Sequence, residues 1–234
     1  MTAGGIEILY LTYNRLNFTG LTWMLLMENT DWDLVDRLTV YDDGSEDGTL
    51  EFMREHIFDC PVEHELREGN FRSAPAIMNH FLATERAPLF AKVDSDICCP
   101  PGWLWDLFRV MRSNPDLILL GSEAGQTRLP EGNERHSFQR CSHIGGVGLM
   151  RTGYLQALPP IPSRGYFGWT EHQSRHRIPR GWICPDLMMP QIDRVPVEPW
   201  RSYTEEYIDR GWNRNWGHYG RERTCYWDWI KECR

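Results

Sequence analysis

The run Ala91-Lys92-Val93-Asp94-Ser95-Asp96 sets two carboxylates two residues apart, where the apolar segment from Leu89 to Val93 runs out. Along an extended chain, residues i and i+2 point to one side. Asp94 and Asp96 are therefore expected to share one divalent cation, or one cation with its bound phosphates. Hard oxygen donors in such a place favour Mg2+ or Mn2+, which keep water and substrate phosphates in their remaining coordination positions. A surface turn would use the same residues, because Asp readily closes turns.

Two upstream segments repeat the pattern of a buried strand closing on polar residues. Ile6 to Leu11 ends in Thr12-Tyr13-Asn14-Arg15, and Leu38-Thr39-Val40-Tyr41 ends in Asp42-Asp43-Gly44-Ser45-Glu46-Asp47-Gly48-Thr49. In open α/β sheets, ligands sit at the carboxyl ends of parallel strands, so three such tips predict one shared crevice. A plain turn followed by a helix capped at Thr49 also explains the second tip.

The elements that must carry these tips follow from periodicity. Helical spacing of apolar residues is expected over 20–29 and again after Thr49, through Leu50, Phe52, Met53 and Ile57. A short strand over 62–66 and a loop over 69–72 precede a helix over 75–82, with Pro75 in its first turn. Further on come a helix over 101–113, a buried strand over 116–121, and a polar loop over 123–139 placed to cover the site. Ile144 to Arg151 reads as a strand whose glycines fit either bulges or a close approach of substrate to the backbone. Strand and helix in alternation imply a parallel sheet.

In order and spacing these blocks resemble the inverting glycosyltransferases of family 2, which have the GT-A nucleotide-sugar fold. The resemblance also takes in Pro101-Gly102-Trp103-Leu104 and Gly168-Trp169-Thr170-Glu171, and it spans roughly residues 6 to 185. It implies an α/β fold, a GT-A (Rossmann-like) mostly parallel sheet flanked by helices. The GT-A domain would be 1–199, with a nucleotide-sugar-binding half at 1–121 and an acceptor and catalytic half at 122–199. A Trp- and Arg-rich C-terminal extension, 200–234, would follow.

The activity implied is metal-dependent, inverting transfer of a sugar from a nucleoside-diphosphate donor, uridine foremost, to an acceptor hydroxyl. By resemblance the donor is held by Thr12, Tyr13, Asn14, Arg15, Asp42, Asp43, Arg72, Asp94 and Ser95. The metal, Mn2+ or Mg2+, falls to Asp94 and Asp96 with His218. Gly145, Gly146, Trp169 and His172 line the acceptor side. Glu171, in the first turn of a helix capped by Thr170, is the expected base; His172 stands where the family commonly has a second acid, which leaves it open as a phosphate or metal contact or an alternative base. His172 and His176 also have zinc-ligand spacing, without a third ligand of matching placement.

Composition bounds these readings. The chain has 234 residues, enough for one α/β domain and a tail. A net charge of −8 and a pI near 5.5 argue against a general polyanion binder. No apolar stretch reaches the length of a membrane span and no signal peptide stands at the N-terminus, so a soluble, cytoplasmic protein is expected. The 7 cysteines are odd in number and lack CxxC spacing, which fits reduced packing residues. In the tail, Trp200, Trp212, Trp216, Trp227 and Trp229 alternate with arginines, a mixture that stacks on sugars or pins the tail to the sheet. A nucleotidyltransferase and a non-catalytic nucleotide- or sugar-binding module are the rival readings.

Overall fold

The computed structural model describes residues 5–71, 73–84, 86–121, 137–141, 143–163, 166–184 and 189, with the backbone alone at 137–140, 166, 167, 182 and 184. Arg72, His218, residues 122–136 and the tail 200–234 lie outside the described residues, and so do the expectations placed on them.

The fold is built outward from β1 (Ile6–Thr12), every residue of which is buried. A strand covered on both faces reads as a nearly continuous apolar run, which is how this segment looks in the sequence. It pairs in parallel with β2 (Val35–Asp42) on one side and β4 (Leu89–Asp94) on the other. Beyond β2 lies β3 (Glu63–Glu68), also parallel. Beyond β4 the sheet is mixed: β7 (Val147–Arg151) is antiparallel to both β4 and β5 (Leu119–Gly121). β8 (Arg180–Cys184) runs parallel to β5, and β6 (Ser137–Arg140) antiparallel to β8. The order is β3-β2-β1-β4-β7-β5-β8-β6. The expected mostly parallel α/β sheet is present, and part of the expected polar loop over 123–139 is strand β6.

Alternation along the strands divides the core between two faces. Ile8, Tyr10, Val40 and Val93 pack with Trp23 and Leu26 of α1 (Leu16–Asn29), Met53 of α2 (Thr49–His56) and Leu107 of α4 (Trp103–Ser113). Leu9, Leu11, Tyr41 and Phe90 pack with Ile77, Met78 and Phe81 of α3 (Ala74–Leu82), Leu155 of α5 (Thr152–Gln156) and Trp169 of α6 (Tyr166–Arg175). Each fully buried Leu, Ile or Phe contributes about 1.5–3 kcal/mol. Among the described residues no helix is long and apolar enough to cross a membrane.

Several boundaries depart from the periodicity for local reasons. α1 starts at Leu16 rather than residue 20, because the Asp47 carboxylate accepts from the Leu16 amide at 2.8 Å. β5 starts at Leu119 because Leu117 sits in a turn closed onto Asn114. β7 starts at Val147, not Ile144, since the Ile144 backbone is bonded to the Gln173 side chain and not to a neighbouring strand.

β3 is an edge strand of alternating charge, and its carboxylates are matched by arginines. Glu63 meets Arg37 at 2.8 Å, Glu65 meets Arg67 at 3.0 Å, and Glu68 meets Arg54 at 2.7 Å. In the interior, Glu7 of β1 is ion-paired to Arg86 at 2.7 Å, the two side chains being 3% and 1% exposed. Thr39 donates to the same Glu7 oxygen at 2.8 Å, and the Arg86 guanidinium lies 4.1 Å over the Phe81 ring. Removing one partner of such a pair strands a buried charge, whereas removing both removes the desolvation cost too. Arg86→Leu should therefore lower unfolding free energy by about 3–5 kcal/mol, and Glu7→Leu combined with Arg86→Leu should recover most of it, as read by urea denaturation.

Candidate functional site at the carboxyl edge of the sheet

Register brings the strand tips level: Thr12 is opposite Asp42, Asp42 opposite Glu68, and Leu11 opposite Asp94. The loops leaving β1 and β2 are locked to each other. Asn14 donates its amide to Ser45 Oγ at 2.7 Å and accepts from the Glu46 amide through Oδ1 at 2.7 Å. Asp47 holds two helix starts at once, Leu16 N through Oδ2 and Thr49 N and Oγ1 through Oδ1. Thr49 is thus the first residue of α2 and Asp47 does the capping. These bonds hold Asn14 (φ 51°) and Arg15 (φ 66°) in the left-handed region, where a non-glycine residue costs of order 1–3 kcal/mol.

Asp42 is buried, and its oxygens serve the loop. Oδ1 accepts from the amides of Gly44 (3.1 Å) and Ser45 (2.8 Å), and Oδ2 from Ser45 Oγ (2.6 Å). Burial raises its carboxyl above the ordinary range, and these bonds oppose the rise. Asp43, also buried, is tied through its amide to the Thr12 carbonyl at 2.9 Å.

The expected shared orientation of Asp94 and Asp96 along one strand does not occur. β4 ends at Asp94, and the Ile97 amide bonded to the Asp94 carbonyl at 3.0 Å closes a turn containing Ser95 and Asp96. Each acid has its own cation. Asp94 Oδ1 is bonded by Lys92 Nζ, the same-face residue two positions back on β4. Asp96 Oδ2 meets Arg15 at 3.2 Å. Asp94 is pushed up by desolvation, with Lys92 opposing and Asp96 adding to the rise. Ser95 is buried and fixed by its backbone, to the Leu11 carbonyl through its amide and to Thr22 Oγ1 through its own carbonyl. Gly146 lies beside Asp94, its carbonyl accepting from the Asp94 amide at 3.0 Å and from Lys92 Nζ at 3.3 Å; Gly145 is its half-buried neighbour.

Several buried polar atoms here have no partner among the described residues: Thr12 Oγ1, Asp96 Oδ1, Trp169 Nε1 and Thr170 Oγ1. Buried polar groups are normally satisfied, so such orphans at a strand tip point to a ligand. For a divalent cation, the open Asp96 oxygen beside Asp94 is a fitting hard donor. No third His, Cys, Asp or Glu completes a metal cluster among the described residues, so water and phosphate oxygens would fill the remaining positions.

On the acceptor side, α6 begins at Tyr166, so Glu171 stands in its second turn and Thr170 is not its cap. Gly168 permits the early start, since a Cβ there would lie 1.8 Å from the Pro162 carbonyl oxygen. Glu171 is ion-paired with Arg175, one turn on. His172 is buried, stacked on Trp169 with centroids 6.2 Å apart and 4.5 Å from the His176 ring. Desolvation, then the neighbouring His176 and Arg175, lowers its pKa to about 4. Lys92, Ser45, Asp47 and Gln173 are structural members of the site that sequence reasoning passed over; a lysine inside a buried strand was the signal for Lys92.

A mostly parallel sheet whose switch from β1 to β4 carries an Asp-Ser-Asp turn, with an antiparallel β7 beside it, defines a GT-A glycosyltransferase. The chain belongs to glycosyl transferase family 2, whose model matches residues 8–167. Its fold is similar to that of the mannosyltransferase PcManGT from Pyrobaculum calidifontis, solved with GDP-Man and Mn2+, at TM-score 0.65 and 15% identity over 87% of this chain and 61% of that one. It is also similar to residues 1–349 of TarS from S. aureus, at 0.61 and 13% over 88% and 71%. A third is glucosyl-3-phosphoglycerate synthase from Mycobacterium tuberculosis, solved with Mn2+, UDP-glucose and phosphoglyceric acid, at 0.53 and 17% over 74% and 65%. At such identities the likeness speaks to fold, and the chain spans 61% of the length of the mannosyltransferase. No curated protein sequence matches it.

Because His172 binds its proton less readily when folded, the unfolded chain takes up more protons between about pH 4 and 6.5. The stability that comes from keeping it neutral is complete above that window and is lost as pH falls through it. His172→Gln should flatten the acid limb of melting temperature against pH, relative to the wild type.

Proposed function

We propose that this chain is a metal-dependent, inverting transferase that moves a sugar from a UDP-sugar to an acceptor hydroxyl. The observation that carries the reading is Asp96, buried at the strand tips with one oxygen on Arg15 and the other without a partner among the described residues. The nucleotide half is 1–121, where Thr12, Tyr13 and Asp43 line the base pocket, and Asp42 holds the loop that presents Asp43. Arg15, Ser95 and Arg72 face the ribose and diphosphate, with Asn14 fixing the Arg15 backbone. The acceptor half, 122–199, contributes Gly145, Gly146, Trp169 and His172, and from the tail 200–234 His218 is assigned to the metal. A soluble protein of the cytoplasm fits this reading.

The chemistry requires charge to be met where it develops. Asp94 and Asp96 would hold a divalent cation, which would supply positive charge to the departing diphosphate. Lys92 favours the ionised form of Asp94 against its desolvation, and Arg15 steers Asp96. Glu171 takes the proton of the acceptor hydroxyl on the opposite face, exchanging its Arg175 partner for that proton, so the sugar inverts at its anomeric carbon. His172, kept neutral, packs behind Glu171 with Trp169.

Nucleotide binding separates this reading from its failure. UDP with Mn2+ at a hundredfold excess over Kd should raise the melting temperature by about 5–10 °C, more than GDP or dTDP, and Asp96→Asn should abolish the Mn2+-dependent part. No shift with any of the three would defeat the donor site. Glu171→Gln should retain the UDP shift while donor turnover falls about 10²–10⁴-fold; unchanged turnover would remove Glu171 from the role of base.

A further inference from the structure

The segment 144–146 leads into β7 and is fixed at both ends: Gly146 is still bonded to β4, and Ile144, beyond the paired residues, is held from α6. The Ile144 amide donates to Gln173 Oε1 at 2.8 Å, and Gln173 Nε2 donates to the Ile144 carbonyl at 2.9 Å. One side-chain amide on α6 thus satisfies both backbone groups of one residue, as a strand neighbour would. Gln173 is 0% exposed, so no water can take its place. The Ile144 side chain settles over Gly121 and Gly148, which face each other across β5 and β7. Its Cγ2 stands 2.8 Å from where a Cβ on either would be, so these glycines are the seat of Ile144.

At the other end the Gly146 carbonyl takes the Asp94 amide and Lys92 Nζ. The bond to Asp94 carries the β4–β7 register one residue past Val147, and beyond it, where the pairing ends, Gln173 satisfies both backbone groups of Ile144. Gln173 is itself steadied through its carbonyl, which accepts from the Ile178 amide at 3.0 Å and from Arg180 Nη1 at 2.9 Å. Three residues therefore connect α6, the helix of Glu171, to the strand tip of Asp94.

We infer that Gln173 is a positioning residue, which through 144–146 sets where α6 and its Glu171 stand relative to Asp94. The inference rests on the sugar-transfer reading above for its catalytic consequence. Transfer needs the acceptor base and the leaving diphosphate in one geometry, and a displacement of about 1 Å far from the reacting atoms can lower rate about a hundredfold. Gln173 itself touches neither donor nor acceptor.

Gln173→Met keeps the length and removes both bonds; Gln173→Glu keeps an acceptor for the Ile144 amide and loses the donor. In nucleotide-free protein, amide exchange at both Ile144 and Asp94 should quicken about tenfold in the Met variant and less in the Glu variant. Faster exchange at Ile144 with Asp94 unchanged would overturn the inference, since the bridge would then transmit nothing. With UDP-glucose, UDP-GlcNAc or GDP-mannose and Mn2+, and water as acceptor, kcat should fall at least about tenfold in the Met variant with donor KM within about threefold of wild type. Equal turnover in wild type and both variants would also overturn it. A wild type that cleaves none of the three donors would defeat the sugar-transfer reading, while exchange at Asp94 would still decide whether the bridge couples the two sides. If the Met variant does not fold, the Glu variant carries both measurements.

Discussion

The carboxylate of Asp47 is the constraint on which the donor side of this molecule depends. One oxygen holds the first amide of α1 and the other holds the start of α2, so two helices on successive strands are referred to a single side chain. Ser45 and Asn14 complete the lock. The lock offsets the cost of the left-handed backbone at Asn14 and Arg15. Arg15 reaches Asp96 because that backbone is held; the acid turn after β4 is thus organised from a loop on another strand.

The same logic recurs on the other side of the crevice. Where the pairing of β7 with β4 runs out, side chains from elsewhere take up its backbone groups: Lys92 joins the Asp94 amide on the Gly146 carbonyl, and Gln173 holds Ile144. Buried charges are handled likewise. Asp94 and Asp96 each have a cation within the fold, which offsets the charge that this turn brings to the crevice.

Much of this was legible in the sequence. Apolar runs ending at Thr12, Asp42 and Asp94 gave the strand tips, because a parallel strand buried on both faces writes itself as a continuous apolar segment. The order of the short motifs gave the family. What stayed hidden depends on distant partners. The start of α1 at Leu16 is decided by Asp47, and the second-turn position of Glu171 by a glycine passing the Pro162 carbonyl. β6 and β8 carry polar residues with no clear alternation, and they become strands by pairing with each other and with β5. Asp42 reads as a ligand because acids beside glycines often are; only the structure shows its oxygens closing the turn.

The charged edge of β3 has a consequence for the molecule among its own copies. A sheet edge offers unpaired amides and carbonyls to any extended chain that approaches. Here Glu63, Glu65 and Glu68 line that edge with Arg37, Arg67 and Arg54 already engaged. A second β3 laid alongside would bring two rows of glutamates together with their counter-charges taken. Among the described residues, the strand at this end of the sheet thus also disfavours its extension by a second copy.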